Sequence, residues 1–179
     1  QRYEIWTMQS SWHNLPEFDP NGKRWQQLPG SQYRAAEVQV GCDLHTISMN
    51  IAPAYGPVPG LTYYRRTAQL TENSLQVQDV TDYPGEIALT LMSEEKPEVN
   101  GAAVRFGTLA QMTVKGAGRI TTEELPIHDD RLQLAWQNSL YRTRIWFKKQ
   151  IALCICGSDD RRYGADVSVS SNSCNAGIR

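Results

Sequence analysis

Apolar and polar residues alternate in short runs along most of the chain. In residues 44–51, Ile47, Met49 and Ile51 fall on one face of an extended chain, and polar residues occupy the other. The same period of two recurs in residues 3–8, 33–40, 62–70, 75–78, 87–91, 102–106, 110–114, 119–123 and 141–148. Because this period is typical of strands with one buried face, the pattern predicts about ten strands.

Turn residues separate these runs and one segment differs from them. Asn100-Gly101 predicts a tight hairpin, because both residue types tolerate positive φ. Residues 129–138 predict the single short helix, with Leu132, Leu134 and Trp136 as its apolar contacts. Many short strands with one minor helix indicate an all-β fold, an antiparallel sandwich or barrel.

The length of the chain and the composition of its C-terminal residues limit the number of domains that it can form. A chain of 179 residues forms one domain of ordinary size. Residues 151–156 could extend a strand, but residues 157–179 are rich in Ser, Asn, Asp and Gly and bury too little to offset ordering entropy. We predict a sandwich over residues 1–150 and a low-complexity tail over 151–179. Since the sequence begins with Gln1 rather than Met, we expect a piece of a longer protein.

Charge and composition narrow the classes of partner that the chain could bind. The chain has 18 Lys and Arg against 19 Asp and Glu, so no basic surplus points to nucleic acid. No apolar run reaches the length of a membrane span, and no signal peptide opens the chain. We therefore predict neither a nucleic-acid nor a membrane partner, and the parent protein's compartment, exported or cytoplasmic, stays open.

The cysteines and histidines are the scarce residues that could carry chemistry. Cys154 and Cys156, with Cys174 later, could ligate zinc, but their spacing is unusual for zinc and we favour buried or adventitious thiols. His13 is either a loop histidine bound to backbone or a metal or substrate ligand. His45 lies in phase with the inward face of its strand, which favours a core histidine over a cation site.

The sequence contains no other familiar catalytic motif. His128 precedes two aspartates at the expected helix start, where helix capping is the favoured role. The sequence has no glycine-rich phosphate loop, no Gly-x-Ser-x-Gly elbow and no His-Glu-x-x-His motif. From the residues alone, the prediction is therefore a β-sandwich that displays a His-Asn loop.

An ordered series of segments carries the prediction further. The segments are Arg2-Tyr3-Glu4-Ile5-Trp6-Thr7, Trp12-His13-Asn14-Leu15-Pro16, Gln27-Leu28-Pro29-Gly30, Tyr33-Arg34-Ala35-Ala36, Asn50-Ile51-Ala52-Pro53-Ala54-Tyr55, Tyr64-Arg65-Arg66-Thr67, Val77-Gln78-Asp79, Leu91-Met92-Ser93-Glu94-Glu95-Lys96-Pro97 and Leu140-Tyr141-Arg142-Thr143-Arg144. In order and spacing this series resembles the C-terminal part of heparinase II/III-like polysaccharide lyases, over residues 2–149. The resemblance implies an antiparallel β-sandwich of about ten or more strands with one short helix.

The resemblance also implies an activity. Members of this family cleave polysaccharides that contain uronic acid, such as heparin, heparan sulfate or alginate, by β-elimination. The reaction neutralises the uronate carboxylate, removes the C5 proton and protonates the leaving oxygen. The resemblance thus makes the parent protein a polysaccharide lyase, whose substrate is an acidic polysaccharide.

Few of the family's site residues have counterparts in this sequence. The resemblance gives His13 the role of a metal ligand, usually for zinc, and gives Asn14 and Gln27 a supporting role in substrate binding. A single histidine cannot hold zinc tightly. The family's His-x-His segment and its N-terminal α/α-toroid, which supplies a tyrosine, do not occur in this sequence. We therefore expect no catalytic residue within the chain and no activity from the chain alone.

Two other functions stay open. A non-catalytic carbohydrate-binding module would use exposed aromatic residues, although most aromatic residues of a sandwich fill its core. The candidates for such a platform are Trp6, Trp12, Trp25, Tyr63, Tyr64, Trp136 and Trp146. A purely structural interaction domain would instead expose an apolar surface where its partner docks.

Overall fold

A computed structural model describes residues 5–136 and 138–158 of the chain. The described part contains ten strands and one α-helix, with short 3₁₀ turns at Trp6–Met8, Ser10–Trp12 and Ala52–Tyr55. The strands are β1 Pro16–Phe18, β2 Ala36–Val40, β3 Thr46–Asn50, β4 Tyr64–Leu70, β5 Ser74–Thr81, β6 Ile87–Ser93, β7 Pro97–Asn100, β8 Ala103–Phe106, β9 Ala110–Pro126 and β10 Ser139–Gly157. The helix α1 spans Asp130–Trp136. The predicted all-β class is confirmed.

All strand pairings are antiparallel, and β10 organises them. The sheet runs in the order β2-β3-β4-β5-β10-β9-β8-β7, while β6 pairs with β10 and β1 pairs with β6. On one edge, β10 pairs with β6 over residues 141–147 and with β5 over residues 150–156. β9 occupies the other edge of β10 along most of its length. The two halves of β10 therefore belong to different layers of a sandwich.

The break between the two halves of β10 has a local cause. The register against β9 shifts between Phe147 and Ala152, and Lys149 adopts a φ of 63°. Opposite this break, Gly116 has a φ of 89° and lies against the carbonyl oxygen of Gln150. A bulge of this kind bends both strands, which lets one long hairpin contribute to both layers.

Aromatic residues fill the core between the layers. The Phe18 ring is fully buried, and the rings of Tyr55, Tyr64 and Tyr83 meet it edge to face at centroid distances of 4.8, 5.6 and 5.1 Å. The Tyr55 hydroxyl donates to the Pro16 carbonyl oxygen at 2.6 Å, which satisfies this polar group inside the core. This cluster joins β1, next to the His13 loop, to the core.

Several sequence predictions change in detail. The predicted strand over residues 3–8 is wrong where the structure describes it, because Trp6–Met8 is a 3₁₀ turn. His45 is exposed, because β3 begins only at Thr46; the core position predicted for it is wrong. Leu134 is 90% exposed, so it makes none of the helix contacts predicted for it.

The last strand extends beyond residue 150, the predicted end of the sandwich. β10 continues to Gly157, and Ile151 and Leu153 are buried in the core. The first part of the predicted tail therefore extends the strand. The predicted tail from residue 159 onward lies outside the described residues. Within residues 5–136 and 138–158, no helix is long and apolar enough to cross a membrane.

Candidate functional site

The His13-Asn14 loop connects the N-terminal 3₁₀ turns to β1. The His13 amide donates to the Ser10 carbonyl oxygen at 3.1 Å, and the His13 side chain is exposed. The Asn14 Oδ1 accepts the Met92 amide at 3.2 Å, and the Asn14 carbonyl oxygen accepts Arg66 Nη1 at 2.8 Å. Asn14 thus fastens the loop to β6 and β4 and leaves the imidazole of His13 displayed.

Gln27 lies near the same loop. Its amide donates to Ser10 Oγ at 2.9 Å, and the residue is half-buried. Ser10 therefore links Gln27 to the turn that leads into His13. The structure brings the three residues predicted for the site into one region, and their roles toward a ligand stay predictions.

The donor groups near His13 decide whether this residue could be part of a zinc site. In the part of the chain that the structure describes, no group of three or more His, Cys, Asp or Glu side chains is arranged to hold a metal ion. Among the residues that the structure describes, His13 therefore has no set of protein ligands that would complete a zinc site, which needs about four ligands. A zinc ion at His13 would need ligands from outside these residues.

A buried ion pair between β4 and β5 holds the His13-Asn14 loop in place. Arg66 donates through Nε and Nη2 to the two oxygens of Asp79 at 2.8 and 2.7 Å, and Asp79 is fully buried. The Tyr64 hydroxyl donates to the same carboxylate at 2.6 Å. Burial, and then the charge of Asp79, raise the pKa of Tyr64 well above its ordinary value, so the hydroxyl keeps its proton. Arg66 uses its remaining nitrogen to hold Asn14.

Alternate residues of β10 form a polar surface on the outside of the β1-β6-β10-β9 layer. Arg142, Arg144 and Trp146 share this face, since side chains two residues apart in a strand point the same way. Arg144 Nη2 donates to Glu17 Oε1 at 2.7 Å, and Glu17 also binds Arg24 at 3.3 Å. Glu17 is 1% exposed, so it is a buried anion shared by two cations.

Two tryptophans complete this surface. The Arg142 guanidinium lies 3.9 Å from the centre of the Trp12 ring and also binds Glu123. Arg119 and Arg144 lie 3.8 and 4.6 Å from the Trp146 ring. We call the surface formed by Arg24, Arg119, Arg142, Arg144, Trp12 and Trp146 the arginine face.

The arginine face carries more cations than carboxylates. Its four guanidinium groups share three carboxylates, those of Glu17, Glu86 and Glu123. Burial lowers the pKa of Arg144, and the charges of Arg142 and Arg24 lower it further against the opposing charge of Glu17. Because these cations repel one another, an anion bound here would be stabilised.

A cavity of about 420 Å³ adjoins the arginine face through Trp12. Trp6 and Trp12 meet edge to face in its wall, with ring centroids 5.1 Å apart. Its lining residues are Trp6, Trp12, Leu125, Pro126, Ile127, His128, Asp129 and Leu132. Asp129 caps α1 by accepting the amides of Arg131 and Leu132 at 2.9 and 3.0 Å. In the structure Asp129 caps this helix start, the role that the sequence had favoured for His128.

The alternation in residues 141–148 puts Arg142 and Arg144 on the polar face of the predicted strand, but it does not assign them a function. The sequence did contain a signal for this face: Arg142, Arg144 and Trp146 alternate with apolar or small residues, which puts all three on the same side of the strand. Tyr64 is buried in the core, and Trp146 is buried against the guanidinium groups of Arg119 and Arg144, so neither ring is exposed as the sugar platform that was predicted.

Comparison with known proteins shows a similarity of fold. No family model and no curated protein matches the chain. Among solved structures, the chain is similar to a heparinase III with methylated lysines, with a TM-score of 0.55 and 13% sequence identity. The match covers 87% of this chain and 25% of the heparinase III chain, so the chain spans about a quarter of that protein's length. The chain therefore has a heparinase-like fold.

Proposed function

We propose that the chain is the β-sandwich portion of a polysaccharide lyase that cleaves uronic-acid-containing polysaccharide by β-elimination. The arginine face is the observation that carries this proposal, because its surplus of guanidinium groups suits a chain of carboxylates. The similarity of fold to heparinase III supports it. In this proposal the sandwich binds the acidic polysaccharide and the proton-transfer groups come from outside residues 1–179.

The chemistry explains this division of roles. Abstraction of the C5 proton from a uronate builds negative charge beside the carboxylate, and placed cationic donors stabilise that charge. Guanidinium groups suit a carboxylate because they present paired N–H donors in one plane. On the arginine face, Arg24 and Arg119 are about half exposed and are the groups that a polysaccharide would reach first.

The binding step is tested with acidic oligosaccharides and two matched variants. Arg119→Gln removes an exposed cation of the arginine face, and Arg105→Gln removes an exposed cation of β8 that pairs with Glu98 on β7. We expect Arg119→Gln to weaken binding by about tenfold, the effect of losing one charged hydrogen bond. Arg105→Gln should leave the Kd unchanged. Equal affinities of the two variants for heparan sulfate and alginate oligosaccharides would contradict the proposal.

The division of roles is tested by turnover. Unsaturated uronate, the product of β-elimination, absorbs ultraviolet light, so its formation is followed directly with heparan sulfate or alginate. We expect the chain alone to give no product. Turnover by the chain alone would show that its own residues complete the reaction.

The second candidate function is a non-catalytic carbohydrate-binding module. The cavity walled by Trp6 and Trp12 favours it, because indole rings pack against the apolar faces of sugars. In that case neutral oligosaccharides would bind, Trp6→Ala would abolish binding, and Arg119→Gln would have no effect. The response to Arg119→Gln therefore separates the two candidates.

A further inference from the structure

Glu17 is a buried carboxylate among the guanidinium groups of the arginine face. It pairs with Ala88 on β6, and Ala88 pairs with Trp146 on β10. Since directly opposed residues of an antiparallel pair project to the same side, Glu17 and Trp146 share the outer side of this layer. Its neighbour Phe18 points the other way, into the core. Arginine side chains, rather than water, therefore compensate the charge of Glu17.

The two arginines that contact Glu17 hold it unequally. Arg144 Nη2 donates to Glu17 Oε1 at 2.7 Å, and the Arg144 side chain is 16% exposed. Arg24 makes two longer contacts, from Nε to Oε1 at 3.4 Å and from Nη2 to Oε2 at 3.3 Å, and its side chain is 48% exposed. Hydrogen bonds between charged N–H donors and carboxylates are ordinarily about 2.7–2.9 Å long. Arg24 is therefore the more weakly held of the two.

The backbone positions of the two arginines differ in the same sense. Arg144 lies within β10, paired with Thr90 on β6 and with Thr121 on β9, and its guanidinium lies 4.6 Å from the centre of the Trp146 ring. Arg24 lies in the turn after β1, where its amide donates to the Asp19 carbonyl oxygen at 3.0 Å. The Arg24 side chain can therefore change partner without disturbing a strand pairing.

The energetic cost of release also differs between them. Removing the last counter-charge from a buried carboxylate is strongly unfavourable. If Arg24 leaves, Arg144 still neutralises Glu17 through its short hydrogen bond. If Arg144 left instead, Glu17 would keep only the two long contacts of Arg24. Release is thus least costly at Arg24.

We propose that Arg24 is the exchangeable arginine of the arginine face: its guanidinium leaves Glu17 and pairs with the carboxylate of an incoming uronate, while Arg144 keeps Glu17 neutralised. One ion pair replaces another, and no covalent bond changes. The Nε and Nη2 donors that Glu17 occupies suit a planar carboxylate, which accepts both in parallel. Glu17 is then an internal competitor that limits how tightly the face holds an anion. This inference rests on the proposed function, because it names the residue that takes the acidic ligand.

Nitrogen-15 NMR of the arginine side chains tests the exchange in the full chain. Glucuronate, a single uronate, is the probe, and Arg24→Gln and Arg144→Lys assign the two Nε signals. We expect glucuronate to shift the Arg24 signal until it saturates and to move the Arg144 signal far less. An Arg24 signal that does not move, or a larger shift at Arg144, overturns the proposal.

Affinity for a uronate oligosaccharide gives a second, independent measurement. Glu17→Gln keeps the shape and removes the competing charge, so we expect binding to tighten by about tenfold, while Arg24→Gln weakens it by about tenfold. In the double variant the gain from Glu17→Gln should shrink to about twofold, because the residue that it releases is gone. A purely structural role of Glu17 would not produce this coupling. Glu98→Gln, which neutralises the exposed partner of Arg105 outside the arginine face, is the control and should leave the Kd unchanged.

The outcomes separate this proposal from the proposed function. Weaker binding by Glu17→Gln with an unchanged circular dichroism spectrum, or an undiminished gain in the double variant, overturns the exchange. If glucuronate moves the Arg24 signal but heparan sulfate and alginate oligosaccharides do not bind, the exchange stands and the polysaccharide function falls. If these oligosaccharides bind while the Arg24 signal stays fixed, the function stands and the exchange falls. The NMR measurement on the wild type decides the exchange even if Glu17→Gln does not fold.

Discussion

Arg66 donates two hydrogen bonds, at 2.8 and 2.7 Å, to the fully buried carboxylate of Asp79. The same guanidinium binds the Asn14 carbonyl oxygen at 2.8 Å. One ion pair therefore joins β4 and β5 to the loop that displays His13. Its geometry couples the stability of the sandwich to the order of this loop.

We expect Asp79→Asn to destabilise the protein by about 3–5 kcal/mol, because it leaves the largely buried Arg66 without its counter-charge. Chemical denaturation measures this change in the free energy of unfolding. Glu98→Gln is the matched control: it breaks an exposed pair with Arg105 and should cost about 0–1 kcal/mol. Similar losses in the two variants would contradict the importance of burial here.

Thr143 offers a stabilising substitution. Its side chain is fully buried, and Thr143 Oγ1 has no hydrogen-bond partner among the described residues. Thr143→Val keeps the shape and removes the unsatisfied hydroxyl, so we expect a gain of about 1 kcal/mol in thermal or chemical unfolding.

The control for Thr143 is a buried threonine whose hydroxyl is used. Thr81 Oγ1 donates to the Tyr63 carbonyl oxygen at 2.7 Å and accepts the Tyr83 amide at 3.1 Å. We expect Thr81→Val to cost about 1–3 kcal/mol because it leaves these groups unpaired. The prediction fails if Thr143→Val is the more harmful change.

Gly116 is required where β9 and β10 bend. A Cβ atom there would lie 2.8 Å from the Gln150 carbonyl oxygen, and the φ of 89° is one that other residues rarely adopt. We expect Gly116→Ala to lower the free energy of unfolding by about 1–3 kcal/mol.

Gly118 is the matched control on the same strand. A Cβ atom at this position would lie 3.6 Å from the Trp146 carbonyl oxygen, an ordinary contact. Gly118→Ala should therefore change stability by less than Gly116→Ala in the same denaturation experiment. If both alanines are tolerated equally, the bend does not depend on glycine.

We expect Asp82 to contribute to the acid sensitivity of the fold. Although partial burial opposes it, hydrogen bonds from Thr62 and from the Tyr63 amide lower the pKa of Asp82 below its ordinary value. A carboxylate whose pKa is lower in the folded state stabilises the fold above its unfolded pKa, and this stability is lost as the pH falls through the folded pKa. The loss therefore falls below about pH 4.

The measurement compares the stability of the wild type and Asp82→Asn from about pH 6 to about pH 2. We expect the variant to be less stable near neutral pH and to show a flatter decline in acid. Glu72→Gln, at an exposed turn, is the control and should follow the wild-type curve. Parallel curves for Asp82→Asn and the wild type would rule out this contribution.

The alternation of residues predicted most of the strands correctly, because it is a local property. Thr143, Ile145 and Phe147 are buried on one face, in keeping with the period of two in residues 141–148, since a strand must bury one face whatever it pairs with. The same local pattern could not place His45, because the strand starts one residue later and turn geometry at Leu44, with a φ of 58°, turns the histidine outward.

The all-β class and the inward residues of β10 follow from the sequence, because both depend on neighbours along the chain. Tertiary structure alone decided that Glu17 meets Arg144, 127 residues away, and that Trp12 packs on Arg142. It also decided that β10 crosses both layers. These contacts depend on which strands pair and where the ladder bends, and such pairing is a property of the whole fold that no local period records.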